Sequence, residues 1–206
     1  MKPFKKEQVT AVATVTVVDA ACQDADALLS IAKRHPEKAS LLLGCSVVVL
    51  ATTLDQGIRT VLSSKVAEWA IEEGTDSNNP YTALLKQCFR LRMLQAAELL
   101  TENKFQLNPD CHHTKALHDL ITLRNELAHV YDEPVVMKGT DQRLTLEGDM
   151  FKLTLPVPKS PWTSVTTQMA TKYREAVIAY MSEILGFQNG SRKCAELLIP
   201  KEAARS

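Results

Sequence analysis

The sequence predicts a mainly α-helical protein: an antiparallel bundle of four to five helices with a small β-hairpin inserted before the last helix. Two observations lead to this. Apolar residues recur at steps of three and four over long stretches, most clearly at Leu43, Val47, Leu50, Leu54, Ile58 and Val61. One stretch, Arg143 to Leu155, instead alternates with period two around Glu147-Gly148-Asp149, as a hairpin does. The helical stretches are joined by short connections, which suits a bundle.

In chain order, residues 9–18 alternate Thr or Ala with Val, and period alone leaves strand and helix both open. From Asp19 a helical pattern runs through Ala21, Ala25, Leu28 and Ala32 and stops at His35-Pro36. The Leu43 helix comes next, extends toward Trp69, and carries Asp55 and Arg59 four apart as a flank ion pair. Residues 74–80 read as a loop. A third helix is expected over 81–102, with Leu84, Leu85, Cys88, Phe89 and Leu91 buried. A second loop with Asn108-Pro109 precedes a fourth helix from Thr114 to about Val130. After the hairpin, Ser160-Pro161 has the form of an N-cap followed by a first-turn proline. The last stripe is Trp162, Val165, Met169, Tyr173, Val177, Tyr180 and Ile184, with Gly186 as terminator. The organisation expected is an N-terminal extension and first helix (1–36), a helical core (37–133), a hairpin with a C-terminal helix (134–187) and a mobile tail (188–206).

Lys and Arg balance Asp and Glu at 24 each, so the chain lacks the basic excess of a protein that wraps duplex DNA. Any nucleic acid must meet a local patch. Five scattered cysteines (Cys22, Cys45, Cys88, Cys111, Cys194) suit reduced thiols and a cytoplasmic location, and no pair has zinc-finger spacing. Cys111-His112-His113 with His118 reads as a solvated helix start, so no metal and no cofactor is expected. The basic N-terminus (MKPFKKEQ) is not followed by a leucine-rich core, so no secretory signal is expected. The longest apolar run, Leu41 to Ala51, is short of a bilayer crossing, so no membrane segment is expected. The basic clusters Lys2-Lys6, Arg90-Arg92 and Arg192-Lys193 read as solvated faces.

The fourth helix carries the chemistry. At about 100° per residue, Leu117, Leu120, Ile121, Leu127 and Ala128 share one face, and Arg124 falls in its middle. A guanidinium there needs a carboxylate, for which Asp55 is the candidate, or a cleft to line. His118, Thr122, Asn125 and His129 form a neighbouring polar stripe. Arg124 and His129 point roughly 140° apart on an ideal helix, so a shared site forms most easily where two copies meet, as a homodimer. Read locally, Arg124 is a structural ion pair, His129 a cation at a helix C-terminus and Tyr131 a core aromatic.

Arg124-Asn125-Glu126-Leu127-Ala128-His129 resembles the Arg-x4-His motif of the HEPN superfamily, small helical bundles of which many are metal-independent ribonucleases. With Tyr131 the match becomes Arg-x4-His-x-Tyr, similar to HEPN toxins paired with minimal nucleotidyltransferase antitoxins. The resemblance covers residues 39 to 133. It implies an endoribonuclease toxin or defence effector, with RNA as substrate and catalytic residues Arg124, His129 and Asn125. It also implies a nucleotidyltransferase antitoxin as partner and Tyr131 as the adenylylated residue. In the mechanism, the RNA 2′-OH attacks the adjacent phosphate and leaves a 2′,3′-cyclic phosphate. The alternative is a non-catalytic binding or regulatory module, a nucleotidyltransferase-associated subunit or a relative of the mannitol-operon regulators. In that case the same residues hold the core or the dimer seam.

Overall fold

The computed structural model describes residues 6–72, 79–128, 143–147, 150–154, 161–185 and 196–201. These residues are mainly helical. They form six α-helices and two small antiparallel two-stranded sheets.

Helix α1 (Lys6–Arg34) takes in the Val-Thr stretch as helix and ends where His35-Pro36 breaks the ladder, with a 3-10 turn at Pro36–Lys38. Helix α2 (Ala39–Glu72) is the centre of the fold. It touches every other helix, and its stripe Val47, Leu50, Leu54, Ile58 and Leu62 is fully buried. By length and composition α2 is apolar enough to cross a membrane, although no run in its sequence is continuously apolar for that distance. The burial of its stripe by neighbouring helices is the packing of a core helix.

The third predicted helix is two helices. Helix α3 (Pro80–Leu85) starts at Asn79, whose side chain accepts from the amides of Tyr81 and Thr82 at 2.9 and 3.2 Å. Helix α4 (Phe89–Leu100) restarts after Cys88. The break rotates the buried face. Arg92, Met93, Ala96 and Ala97 point inward, while Leu91 and Cys88 are exposed and Leu85 and Phe89 are half-buried. A periodic pattern read straight through residues 86–88 misplaces these side chains.

The end of α4 turns through Glu102 and Asn103, both at positive φ (54° and 60°). Strand β1 (Phe105–Leu107) follows and pairs with strand β4 (Leu198–Pro200), in the register Phe105 to Pro200 and Leu107 to Leu198. Residues 196–201, expected in a mobile tail, are therefore tied down. Leu197 is fully buried, and Asn108 donates its amide to Leu197 O at 2.9 Å and its side-chain Nδ2 to Glu196 O at 3.0 Å. The predicted hairpin is strand β2 (Arg143–Glu147) paired antiparallel with strand β3 (Met150–Thr154).

Helix α5 (His112–Ala128) buries Leu117, Leu120, Ile121, Leu123 and Leu127, whereas Ala128 is exposed. The final helix starts later than Ser160-Pro161 implies. Pro161–Ser164 is a 3-10 turn, and helix α6 (Thr167–Glu183) is capped by Thr166, whose hydroxyl accepts from Met169 N at 3.2 Å. Ser160 and Gly186 lie outside the described residues, as do residues 74–78. On α6, Tyr180 is fully buried and donates its hydroxyl to Met93 O at 2.6 Å. Burial pushes its pKa far up, so the phenol stays neutral.

Two glycines on α2 allow close approach. A Cβ on Gly44 would lie 2.3 Å from the Trp162 ring, and one on Gly57 would lie 2.4 Å from the Met181 methyl. The indole is rigid, whereas the thioether can swing aside. Gly44→Ala is therefore expected to destabilise the fold by about 1–3 kcal/mol through overpacking, outweighing about 1 kcal/mol of gained helix propensity. Gly57→Ala is expected to be near neutral. Urea unfolding of both variants checks the contrast.

Candidate phosphate-binding cleft

Three arginines from three helices converge on one cleft of about 350 Å³. Helix α2 lines it with Ala51, Thr52, Asp55, Gln56 and Arg59. The α3–α4 break adds Gln87, Cys88 and Phe89, α4 adds Arg92, and α5 adds Arg124. Asp55 is the only carboxylate among the described residues of this lining, so their formal charge is positive although the whole chain is neutral.

The three guanidiniums have different employment. Arg92 is 2% exposed. Its Nε and Nη2 donate to Asp55 Oδ1 at 3.0 and 2.8 Å, and its Nη1 donates to Leu85 O and Gln87 O, both at 2.8 Å. Those carbonyls belong to the helix break, which leaves them without the amides of a continuing helix. Arg92 therefore closes the break and neutralises Asp55 together. An arginine so deep was not legible in the sequence, where Arg90-Arg92 read as a solvated face. The available signal was its spacing from Ala96 on α4, with Asp55 set in an apolar stretch of α2.

Arg59 donates its Nε to the other oxygen of Asp55, Oδ2, at 3.0 Å, which is the flank pair expected from the four-residue spacing. Its side chain is 42% exposed. Arg124 is half-buried in the midst of the buried face of α5, with Leu120 and Leu127 buried on either side. Its Nη1 donates to Asn125 Oδ1 at 3.1 Å. The carboxylate expected to meet Arg124 is thus taken by Arg92 and Arg59, and Arg124 faces the cleft. His129 and Tyr131, the rest of the motif, lie outside the described residues, as do Asp132-Glu133, Cys194, the clusters Lys2-Lys5 and Arg192-Lys193, and residues 202–206.

Beside the cleft, Arg90 Nη2 donates to Thr122 Oγ1 at 2.7 Å, and Thr122 donates to His118 O at 3.0 Å. The polar stripe of α5 is thereby tied to α4. Burial, with Arg90 nearby, pushes the His118 pKa down, partly opposed by Asp119. At the start of α5, Cys111 is buried and His113 half-buried, with His113 Nδ1 unpartnered among the described residues. The turn is thus less solvated than its sequence implies. Burial and then His112 push the His113 pKa down. Among the described residues no group of His, Cys, Asp and Glu gathers at metal-binding distance.

No family model, curated protein or solved structure matches this chain.

The division of labour has a thermodynamic consequence. Arg92→Ala strands Leu85 O and Gln87 O and half of the Asp55 carboxylate, and is expected to cost about 3–5 kcal/mol. Arg124→Ala removes a partly solvated side chain and is expected to cost roughly 1 kcal/mol or less. Chemical denaturation of the two variants measures both. A loss for Arg124→Ala as large as that for Arg92→Ala would make Arg124 the structural residue.

Proposed function

We propose that the cleft binds the phosphodiester backbone of single-stranded RNA and that the protein cuts it as a HEPN-type endoribonuclease. The observation that carries this is the placement of Arg124, a guanidinium in the middle of an apolar helix face that opens on an arginine-lined cleft. The structural load there falls on Arg92. An arginine fork matches the oxygens of a phosphodiester in shape and charge.

The chemistry follows from the groups in the motif. The 2′-oxygen of the RNA attacks the adjacent phosphorus as its proton leaves, and the P–O5′ bond breaks as the 5′-oxygen takes up a proton. A histidine of near-neutral pKa suits both transfers, and His129 is the motif's histidine. Arg124 stabilises the charge on the phosphorane oxygens. Asn125 acts as a positioning residue, because its side-chain oxygen accepts from Arg124 and fixes the guanidinium. The product carries a 2′,3′-cyclic phosphate. In this reading the helices form a HEPN-like antiparallel bundle that works as a cytoplasmic homodimer, in which two copies supply two histidines. A nucleotidyltransferase antitoxin that adenylylates Tyr131 would add bulk and negative charge to the motif that contains Arg124 and so exclude RNA.

A binding or regulatory module is the second reading, favoured by the exposed hydrogen bond of Arg124 to Asn125, which suits a docking surface as well as a substrate site. Purified protein incubated with total RNA in EDTA separates the two. The expected result is cleavage to 2′,3′-cyclic ends, reduced at least about 100-fold in Arg124→Ala and His129→Ala with the fold retained. Intact RNA, or cutting that survives both substitutions, overturns the ribonuclease reading.

A further inference from the structure

The cleft holds a second cation, Arg59, that the Arg-x4-His motif leaves unused. Arg92 is committed, with four hydrogen bonds and almost no exposure. Arg59 is committed on one side only. Its Nε meets Asp55 Oδ2, and among the described residues its terminal nitrogens Nη1 and Nη2 make no hydrogen bond. Asp55 thus holds the guanidinium by its near edge, while the terminal edge belongs to a side chain that is 42% exposed in the cleft wall. That edge carries parallel N–H groups suited to two oxygens of one phosphate.

Charge points the same way. Arg92 and Asp55 cancel. What remains among the described lining residues is Arg59 on α2 and Arg124 on α5, two positive groups on different helices with no second carboxylate among them. One phosphate satisfies one of them. A strand with two successive phosphates satisfies both.

We infer that Arg59 binds the phosphate next to the one held by Arg124, so that the cleft takes a strand with at least two phosphates in preference to a mononucleotide. This rests on the phosphodiester reading of the cleft. It adds a substrate-length requirement and a residue, Arg59, that the motif does not contain. Arg59 can be removed without exposing a bare charge, because Asp55 keeps both hydrogen bonds from Arg92.

The test uses the full chain in EDTA with a fluorescent, fully 2′-O-methylated single-stranded oligonucleotide, which binds but cannot be cut. A nucleoside 5′-monophosphate and a 5′-phosphorylated dinucleotide compete for the site, and anisotropy reports displacement. The dinucleotide is expected to compete about ten-fold better on the wild-type protein, the scale of one charge-assisted contact. That advantage is expected to vanish in Arg59→Ala and to return in part in Arg59→Lys, with melting temperatures unchanged. The slope of log affinity against log salt is expected to fall by about one in Arg59→Ala. An undiminished dinucleotide advantage and salt slope in Arg59→Ala overturns the inference, as does failure of the wild type to bind the oligonucleotide. Loss of the advantage in Arg59→Ala while the wild type leaves natural RNA uncut sinks the ribonuclease reading and keeps the two-phosphate site. RNA cutting by the wild type with Arg59→Ala binding unchanged does the reverse.

Discussion

The Asp55–Arg92 ion pair is the interaction on which the site depends. It joins the central helix to a place where the chain leaves helical geometry, between Leu85 and Phe89. Burying a guanidinium at 2% exposure is costly, and the cost is offset only when its donors are met. Here one carboxylate oxygen and two carbonyls meet them. The pair fixes the angle at which α4 restarts, and thereby turns Met93, Ala96 and Ala97 inward and Leu91 outward. It also sets Cys88 and Phe89 on the rim of the cleft.

The same pair sorts the arginines. By saturating Arg92 it leaves Asp55 a single oxygen for Arg59, and nothing for Arg124. The described residues of the cleft wall therefore keep a positive excess in a chain whose net formal charge is zero. A chain of zero net formal charge lacks the long-range field of a nucleic-acid coat, so any attraction for an anion comes from local groups such as these arginines.

Much of this was legible in the sequence, for physical reasons. The stripe of α2 and the faces of α5 and α6 repeat long enough for burial to show as a pattern, and the hairpin's alternation with period two is long enough to read as strand. Arg124 stood out because a charge interrupts such a pattern. The break at residues 86–88 was hidden because apolar residues happen to continue through it. Strand β4 was hidden because three residues show no period and its partner lies far off in sequence. Arg92 was hidden because a buried arginine and an exposed one look alike until the carbonyls and the carboxylate around them are located. The helix start at Thr166 was displaced from Ser160-Pro161 because a proline begins a 3-10 turn as readily as an α-helix.

Cys88 offers the most direct check on the central claim, that this cleft is where an RNA strand sits. Its thiol is exposed and lines the cleft, whereas Cys45 is half-buried on α2 and outside the lining. The measurement is the rate of alkylation at each cysteine, read by peptide mass spectrometry with and without a non-cleavable single-stranded oligonucleotide. At ten times its dissociation constant, the oligonucleotide is expected to slow reaction at Cys88 by about ten-fold and to leave Cys45 unchanged. An unaltered Cys88 rate with the oligonucleotide bound would place the strand elsewhere and contradict the account.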